Sequence, residues 1–233
     1  TSALGAADGT GTGERYNVAI GHGAGLSINT SSALGNVLIG ADAGTGGTGT
    51  FSGVIAIGNN ALDATGSNNH TGTIAIGYQS LGALTSGTTN IAIGHEAGLL
   101  MTIATNNLLI GKSAGYSMLD NTKNICIGST SGGYLGSDLA DENVFIGDSA
   151  GASGEWDDAN SNTANQNVGI GVNVMGGAGS NTADHFTAAD NVALGFESLK
   201  LITSGANNVA IGSLAGDALT TSSYNVAVGK GAL

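Results

Sequence analysis

Asn17-Val18-Ala19-Ile20-Gly21 returns almost unchanged as Asn90-Ile91-Ala92-Ile93-Gly94, and for the last time as Asn225-Val226-Ala227-Val228-Gly229. The closing glycine of this phrase falls at 21, 40, 58, 77, 94, 111, 128, 147, 171, 195, 212 and 229, twelve copies in all. The gaps are 19, 18, 19, 17, 17, 17, 19, 24, 24, 17 and 17 residues, so a base unit of 17 with small insertions fits every copy. A period of this size means stacked copies of one supersecondary unit, each burying its apolar side against the next.

Positions are numbered from the Asn. Position 2 is always Val, Ile or Leu, and position 4 is Ile in ten copies, with Leu194 and Val228 as the exceptions. Side chains alternate along an extended chain, and β-branched residues suit a strand better than a helix. Positions 1 to 4 therefore read as a strand and the glycine at position 5 as its turn. Position 8 is small (Ala24, Ala97, Ser131), position 9 is Gly or a Leu or Met, and position 12 is often large and aliphatic (Ile28, Leu84, Met101, Met118, Leu135, Ile202, Leu219). This pattern predicts a second short strand over positions 8 to 13, then a polar return loop rich in turn formers. The predicted fold is all-β: a parallel β-solenoid of about twelve coils of 17–24 residues. Residues 1–16 form a partial N-terminal coil and 17–233 one continuous repeat domain, with enlarged coils at 143–190. At about 4.8 Å per rung the rod is on the order of 55 Å long.

Composition narrows the function. Gly is high at 42 residues, Pro is absent and aromatics make up 4%. There is no Gly-X-Y triplet period, and a hydrophobic fraction of 41% is too high for a disordered linker. A net charge of −12 argues against nucleic acid and anionic membrane surfaces as partners. No apolar run approaches the roughly 20 residues that span a bilayer. Cys126 is the only cysteine, so no intrachain disulfide forms.

Position 3 carries Ala19, Leu38, Ala56, Ala75, Ala92, Leu109, Cys126, Phe145, Gly169, Ala193, Ala210 and Ala227, with no charge in any copy. With positions 2 and 4 placed inside, position 3 faces out, and an outward column this apolar reads as an interface. This column is the expected contact with further copies of the chain.

The phrase N-V-A-I-G-x-x-A, present in coil after coil from about residue 17 to 233, resembles the head repeat of YadA-like trimeric autotransporter adhesins, and similar phrases occur in phage tail-fibre proteins. The resemblance implies a left-handed β-roll assembled as a homotrimer, located outside the cell on a bacterial surface or a virion fibre. It also implies a role in adhesion to a cell-surface glycan or matrix receptor, or in receptor presentation. A self-assembling extracellular filament is the structural alternative. Ice binding is a third class, although Thr here clusters irregularly in loops. Thr1-Ser2-Ala3-Leu4-Gly5 matches positions 6 to 10 and Leu233 falls at position 9, so the intact object is expected to continue past one or both ends.

Signs of chemistry are weak. Gly111-Lys112-Ser113-Ala114-Gly115 and Gly147-Asp148-Ser149-Ala150-Gly151 match G-x-S-x-G, but other copies carry Gly23, Asp42, Asn60 or Glu96 at the serine's place, and no catalytic residue is assigned. His22, His70, His95 and His185 have no zinc spacing. Asp158-Ala159-Asn160-Ser161-Asn162 imitates the opening of a calcium loop but lacks its Gly and Glu, which leaves incidental calcium as the only cofactor considered. The enlarged coils carry Trp156, Asp157, Asp158, His185 and Phe186. These form a platform for a sugar, or their rings pack the loops onto the wall. Asn at position 1 in ten copies either forms a stacked amide ladder or supports a tight turn.

Overall fold

The computed structural model describes residues 16–26, 28, 33–45, 50–66, 69–133, 135, 140–152, 163–176 and 186–233. The fold is an all-β parallel solenoid, and among the described residues there is no helix. Its main wall is a twelve-stranded sheet of three-residue strands. They are β1 (Val18–Ile20), β2 (Val37–Ile39), β4 (Ile55–Ile57), β6 (Ile74–Ile76), β7 (Ile91–Ile93), β8 (Leu108–Ile110), β9 (Ile125–Ile127), β10 (Val144–Ile146), β11 (Val168–Ile170), β12 (Val192–Leu194), β13 (Val209–Ile211) and β14 (Val226–Val228). Every neighbouring pair is parallel and in register, so position 2 lies on position 2 and position 3 on position 3 throughout. A second, two-stranded sheet pairs β3 (Phe51–Ser52) with β5 (His70–Thr71).

The expected second strand over positions 8 to 13 is replaced by a tier of turns. The turns still hold the stack together. The position-7 N–H donates to the position-6 carbonyl of the coil before, as in Ser113 to His95 and Thr130 to Lys112, both at 2.8 Å. The position-9 N–H donates to the position-8 carbonyl of the coil after, as in Gly98 to Ala114 and Gly115 to Ser131, both at 2.9 Å. Position 7 reaches this geometry in the left-handed region even with side chains present: φ is 58° at Glu96, 53° at Ser113 and 52° at Thr130. Each such residue costs about 1–2 kcal/mol, and the hydrogen bond it makes to the next rung offsets that cost.

The faces of the wall are the reverse of the sequence expectation. The middle residue of each strand points inward. Leu38, Ala56, Ala75, Ala92, Leu109, Cys126, Phe145, Ala193 and Ala210 are wholly buried, Ala227 is nearly so, and Ala19 packs against the same core from the first rung. These residues are the core of a single chain, not a contact between chains. The physical reason is width. A coil of 17 residues closed by tight turns has an interior that admits one side chain per rung from this wall, a large one only where position 9 is Gly, with positions 8, 9 and 12 supplying the rest. Two branched aliphatics per rung at positions 2 and 4 would not fit inside it.

Packing across this interior is complementary in size. Where position 3 is large, position 9 of the same coil is Gly: Leu38 with Gly44, Leu109 with Gly115, Cys126 with Gly132, Phe145 with Gly151. A Cβ on Gly151 would lie 2.5 Å from the Phe145 ring, and one on Gly44 would lie 2.7 Å from Leu38 Cδ2. Where position 9 is Leu62, Leu81, Met175 or Leu199, position 3 is Ala56, Ala75, Gly169 or Ala193. No coil pairs two large partners, and where both are small, as with Ala92 and Gly98, side chains of Met101, Leu81 and Leu109 fill the space, since interiors are packed to crystal density.

The asparagines form the amide ladder. From Asn90 through Asn107, Asn124, Asn143, Asn167, Asn191 and Asn208 to Asn225, each Oδ1 accepts both the backbone N–H and an Nδ2 proton of the next Asn, at 2.9–3.3 Å. Their other Nδ2 proton goes to the carbonyl three residues before the next rung's Asn, for example Asn90 to Ala104 at 2.7 Å and Asn124 to Ala140 at 2.9 Å. The amides are thus satisfied although buried, as buried polar groups must be.

Val54 and Thr73 interrupt the ladder. In these two coils the rings of Phe51 and His70, on paired residues of neighbouring rungs, take up the interior with centroids 5.7 Å apart and planes tilted by 57°. The exchange is imperfect. His70 is fully buried, its Nε2 meets Thr65 O at 3.3 Å and Thr85 O at 3.2 Å, and its Nδ1, Thr65 Oγ1 and Thr73 Oγ1 have no partner. Burial pushes the His70 pKa below its usual 6.5, against the opposing pull of its hydrogen bonds to the Thr65 and Thr85 carbonyls. The unfolded chain therefore takes up a proton at His70 at a higher pH than the folded chain does. Stability is full above 6.5 and falls as the pH drops from there to the lowered folded value. His70→Phe, which copies Phe51 one rung away, should flatten this slope. Denaturant midpoints taken between about pH 8 and about pH 5 check it.

Candidate functional site

The main feature of the surface is the outer side of the sheet. Two residues of each of the twelve strands, positions 2 and 4, face outward. All are Val, Ile or Leu. In the inner rungs they are half-buried by their neighbours above and below, and towards the ends they open to solvent, with Ile20 at 59% and Val226 at 69% exposure. Parallel register lines them up in two unbroken columns about 53 Å long.

Charge is kept off this wall. The carboxylates of Asp42, Glu96, Asp148 and Glu197 lie at positions 6 and 7, past the glycine corner, and those of Asp141 and Glu142 lie just before the strand. If each aliphatic gave up about 30 Å², a partner would bury roughly 700 Å² per chain, close to one partner's share of a specific interface. Isolated apolar side chains on a surface need no explanation, but a contiguous patch of this length does. Sequence reasoning found the apolar strand but assigned its faces wrongly. The missed signal is that every large residue at position 3 has Gly at position 9 of its coil, which couples position 3 to the interior.

Of the residues considered for ligand binding, Trp156, Asp157, Asp158 and His185 lie outside the described residues, as does the calcium-like segment 158–162. Phe186 is buried, with its ring 6.4 Å from that of Phe145 and tilted by 48°. It packs the core and is no part of an exposed sugar platform. Ser113 and Ser149 occupy the same left-handed turn position two rungs apart, each with φ of 53°. Burial pushes the Cys126 thiol up to about 12, so the thiolate is scarce at neutral pH. Among the described residues no three His, Cys, Asp or Glu side chains gather as a metal site would require.

Past the glycine corner the surface is mixed, with polar side chains over the middle coils and Val172 and Phe196 exposed further along. Position 6 stacks Tyr78 on His95, with ring centroids 5.1 Å apart and planes 28° apart, and continues to Lys112 and Ser129. A groove opens beside Tyr116 in this region. A further polar surface lies where Lys123 and Glu142 form an exposed ion pair at 2.7 Å and Gln166 Nε2 donates to Glu142 at 3.2 Å. The ion pair raises the Lys123 pKa and, with the Gln166 hydrogen bond, lowers that of Glu142. Comparison with protein-family models, with curated proteins and with solved structures finds no match to this chain.

Proposed function

We propose that this chain is a non-enzymatic rod module of an extracellular fibre, which associates with further copies of itself along its aliphatic wall and turns its polar faces towards a receptor. The observation that carries the reading is the unbroken double column of Val, Ile and Leu on the outside of twelve rungs. Such a wall exposes apolar surface that water disfavours at about 25 cal/mol per Å². A second copy fits it better than an unrelated surface does. It has the same rise per rung and the same two columns, so contacts repeat in phase along the full length, as expected of symmetric assemblies. The −12 charge of each copy opposes association, but the carboxylates lie off the wall, so salt should strengthen the contact by screening. The resemblance of the repeat to YadA-like adhesin heads and phage fibres supports three copies, an extracellular setting and a role in adhesion or receptor presentation.

Light scattering tests the reading. The wild-type chain should run at a multiple of 22.5 kDa, and Ile93→Asp combined with Ile127→Asp should run as a monomer with its β-sheet circular dichroism retained. Both substituted side chains sit at position 4 and face outward, away from the coil interior. Ala92→Asp, at position 3, should lose the fold instead. A wild-type monomer at micromolar concentration would overturn the proposal, as would a double variant that keeps the wild-type mass.

A further inference from the structure

Among the described residues, the buried side-chain polar atoms without a partner belong to Thr65, His70 and Thr73, a stretch that joins two successive coils. Two of them break the repeat. Thr65 holds position 12, which Leu84 and Met101 fill in the next coils, and Thr73 holds position 1, the place of the ladder asparagine. The ladder itself stops at Asn36, whose Oδ1 takes the Val54 N–H at 2.9 Å, and starts again at Asn90.

Across this gap His70 does the work of the missing amides, and does it weakly. Its Nε2 meets Thr65 O of its own coil at 3.3 Å and Thr85 O of the next coil at 3.2 Å, whereas Asn90 reaches Ala104 O at 2.7 Å. Carbonyl oxygens only accept, so Nε2 carries the hydrogen and Nδ1 is a buried lone pair. A proton taken up there creates a cation whose new N–H has no acceptor. The groups that meet the ring are Phe51 on β3, Thr65 of the same coil and Thr85 of the next, and none of them is ionisable. The carboxylate nearest in sequence, Asp63, is taken by Asn60 Nδ2 at 2.7 Å. A buried charge with no counter-ion has to reach water. Water is one residue away, because Asn69 and Thr71 on either side of His70 are exposed.

The return side of the coil is the side that can yield. There β3 and β5 have two residues each, joined by the His70 N–H to Thr50 O at 2.8 Å and the Gly72 N–H to Ser52 O at 3.0 Å. On the opposite side β4 and β6 belong to the unbroken twelve-stranded wall. We propose that the return side of these two coils is an acid-operated hatch: one proton on His70 Nδ1 parts β3 from β5 and uncovers the Phe51 ring, while the strands of the main wall stay paired. The hatch lies within one stack of coils, so it goes beyond the rod reading and does not depend on self-association.

Hydrogen–deuterium exchange on the whole chain, followed by mass spectrometry at about pH 7.5 and about pH 5, tests it. After correction for the intrinsic effect of pH, segments 50–53 and 69–73 should exchange at least about tenfold faster in acid, the shift expected when a histidine is freed to titrate near its ordinary value. Segments 55–58 and 74–77 of the wall, and the coils from 90 onward, should keep their protection. His70→Phe should remove the acid effect. In the wild type, the midpoint of His70 protonation followed by NMR of its ring should coincide with the rise in exchange, and this readout does not rely on the variant folding. The proposal is overturned if 50–53 and 69–73 exchange alike at both pH values, if every coil speeds up together, if the effect persists in His70→Phe, or if His70 takes up its proton with no change in exchange.

Discussion

Gly128→Ala should weaken the stack at its middle by roughly 3–5 kcal/mol, the combined cost of a forbidden backbone conformation and a steric clash. Gly128 has φ of 136°, a region that residues with a Cβ rarely enter, and an added methyl would stand 2.2 Å from the carbonyl oxygen and 2.5 Å from the carbonyl carbon of Gly147 on the next rung. The obstacle is backbone, so it cannot rotate away. Relieving it means parting the two rungs, and that breaks the hydrogen bond from Gly147 N–H to Ile127 O at 2.7 Å. Stacked repeats are coupled only to their neighbours, so the expected signature is loss of cooperativity: one transition in the wild type, two in the variant. Gly35→Asn is the control. Gly35 has φ of 66° with no atom within 4 Å of a built Cβ, and Asn106 holds the equivalent place at φ of 60°. This change should move the denaturant midpoint by no more than about 0.5 kcal/mol, the range of ordinary surface substitutions. A Gly128→Ala variant that melts like wild type would show that the rungs do not meet at the glycine column.

Asn124→Ala should cost about 2–4 kcal/mol, set by the buried groups it strands. Asn124 Oδ1 accepts the Asn143 N–H at 2.9 Å and an Asn143 Nδ2 proton at 3.1 Å, and its own Nδ2 donates to Asn107 Oδ1 and Ala140 O. Without it the Asn143 N–H loses its acceptor on a fully buried residue. Asn124→Asp separates the two roles of the amide. A carboxylate still accepts from Asn143 but offers nothing to Asn107 Oδ1 or Ala140 O, and it places a charge among carbonyl oxygens. It should therefore be worse than Ala at neutral pH. Burial and those oxygens favour its neutral form, so its folded pKa is raised, and stability should recover as the pH falls through that value. Denaturant melts of both variants across pH decide the matter, and an Asp variant insensitive to pH would refute the ladder as a source of stability.

The two results concern the same design. The glycine column allows rungs to approach closely at the corner, and the asparagine column joins them at the start of each strand. Between them the three-residue strand carries little side-chain mass inward, which is why one Ala per rung suffices. This economy leaves two aliphatics per rung facing outward, the surface that the proposed self-association would cover.

Particular residues show how far the sequence could be read. The spacing of Gly21, Gly40 and Gly58 already fixes parallel pairing in register, because only equivalent positions can stack when every unit is alike. Ile28, Leu84, Met101, Met118, Leu135 and Ile202 at position 12 are core residues in the structure as in the sequence pattern. The choice between a ladder and a turn for the asparagines was open in sequence, since both use the same amide, and neighbouring rungs had to be placed before hydrogen-bond partners could be named. For Phe186 a ligand platform and packing onto the wall were both open in sequence, and stacking of the coils decides for packing, with its ring against Phe145 of a different coil. The groove at Tyr116 was likewise hidden. Its lining brings together Glu96, Lys112 and Thr130 from three successive coils, a relation that only stacking creates.

Period, register and the apolar nature of the strand thus belong to the sequence, since repetition and alternation are properties of the chain itself. Which way Ala92 and Ile93 point does not. Alternation sets the two sides of a strand against each other without saying which is inside, and a strand of three residues has too few side chains to break the tie. The turns and the width of the closed coil break it: only a ring with room for one residue per rung from this wall turns Ala92 inward and leaves Ile93 on the outer wall.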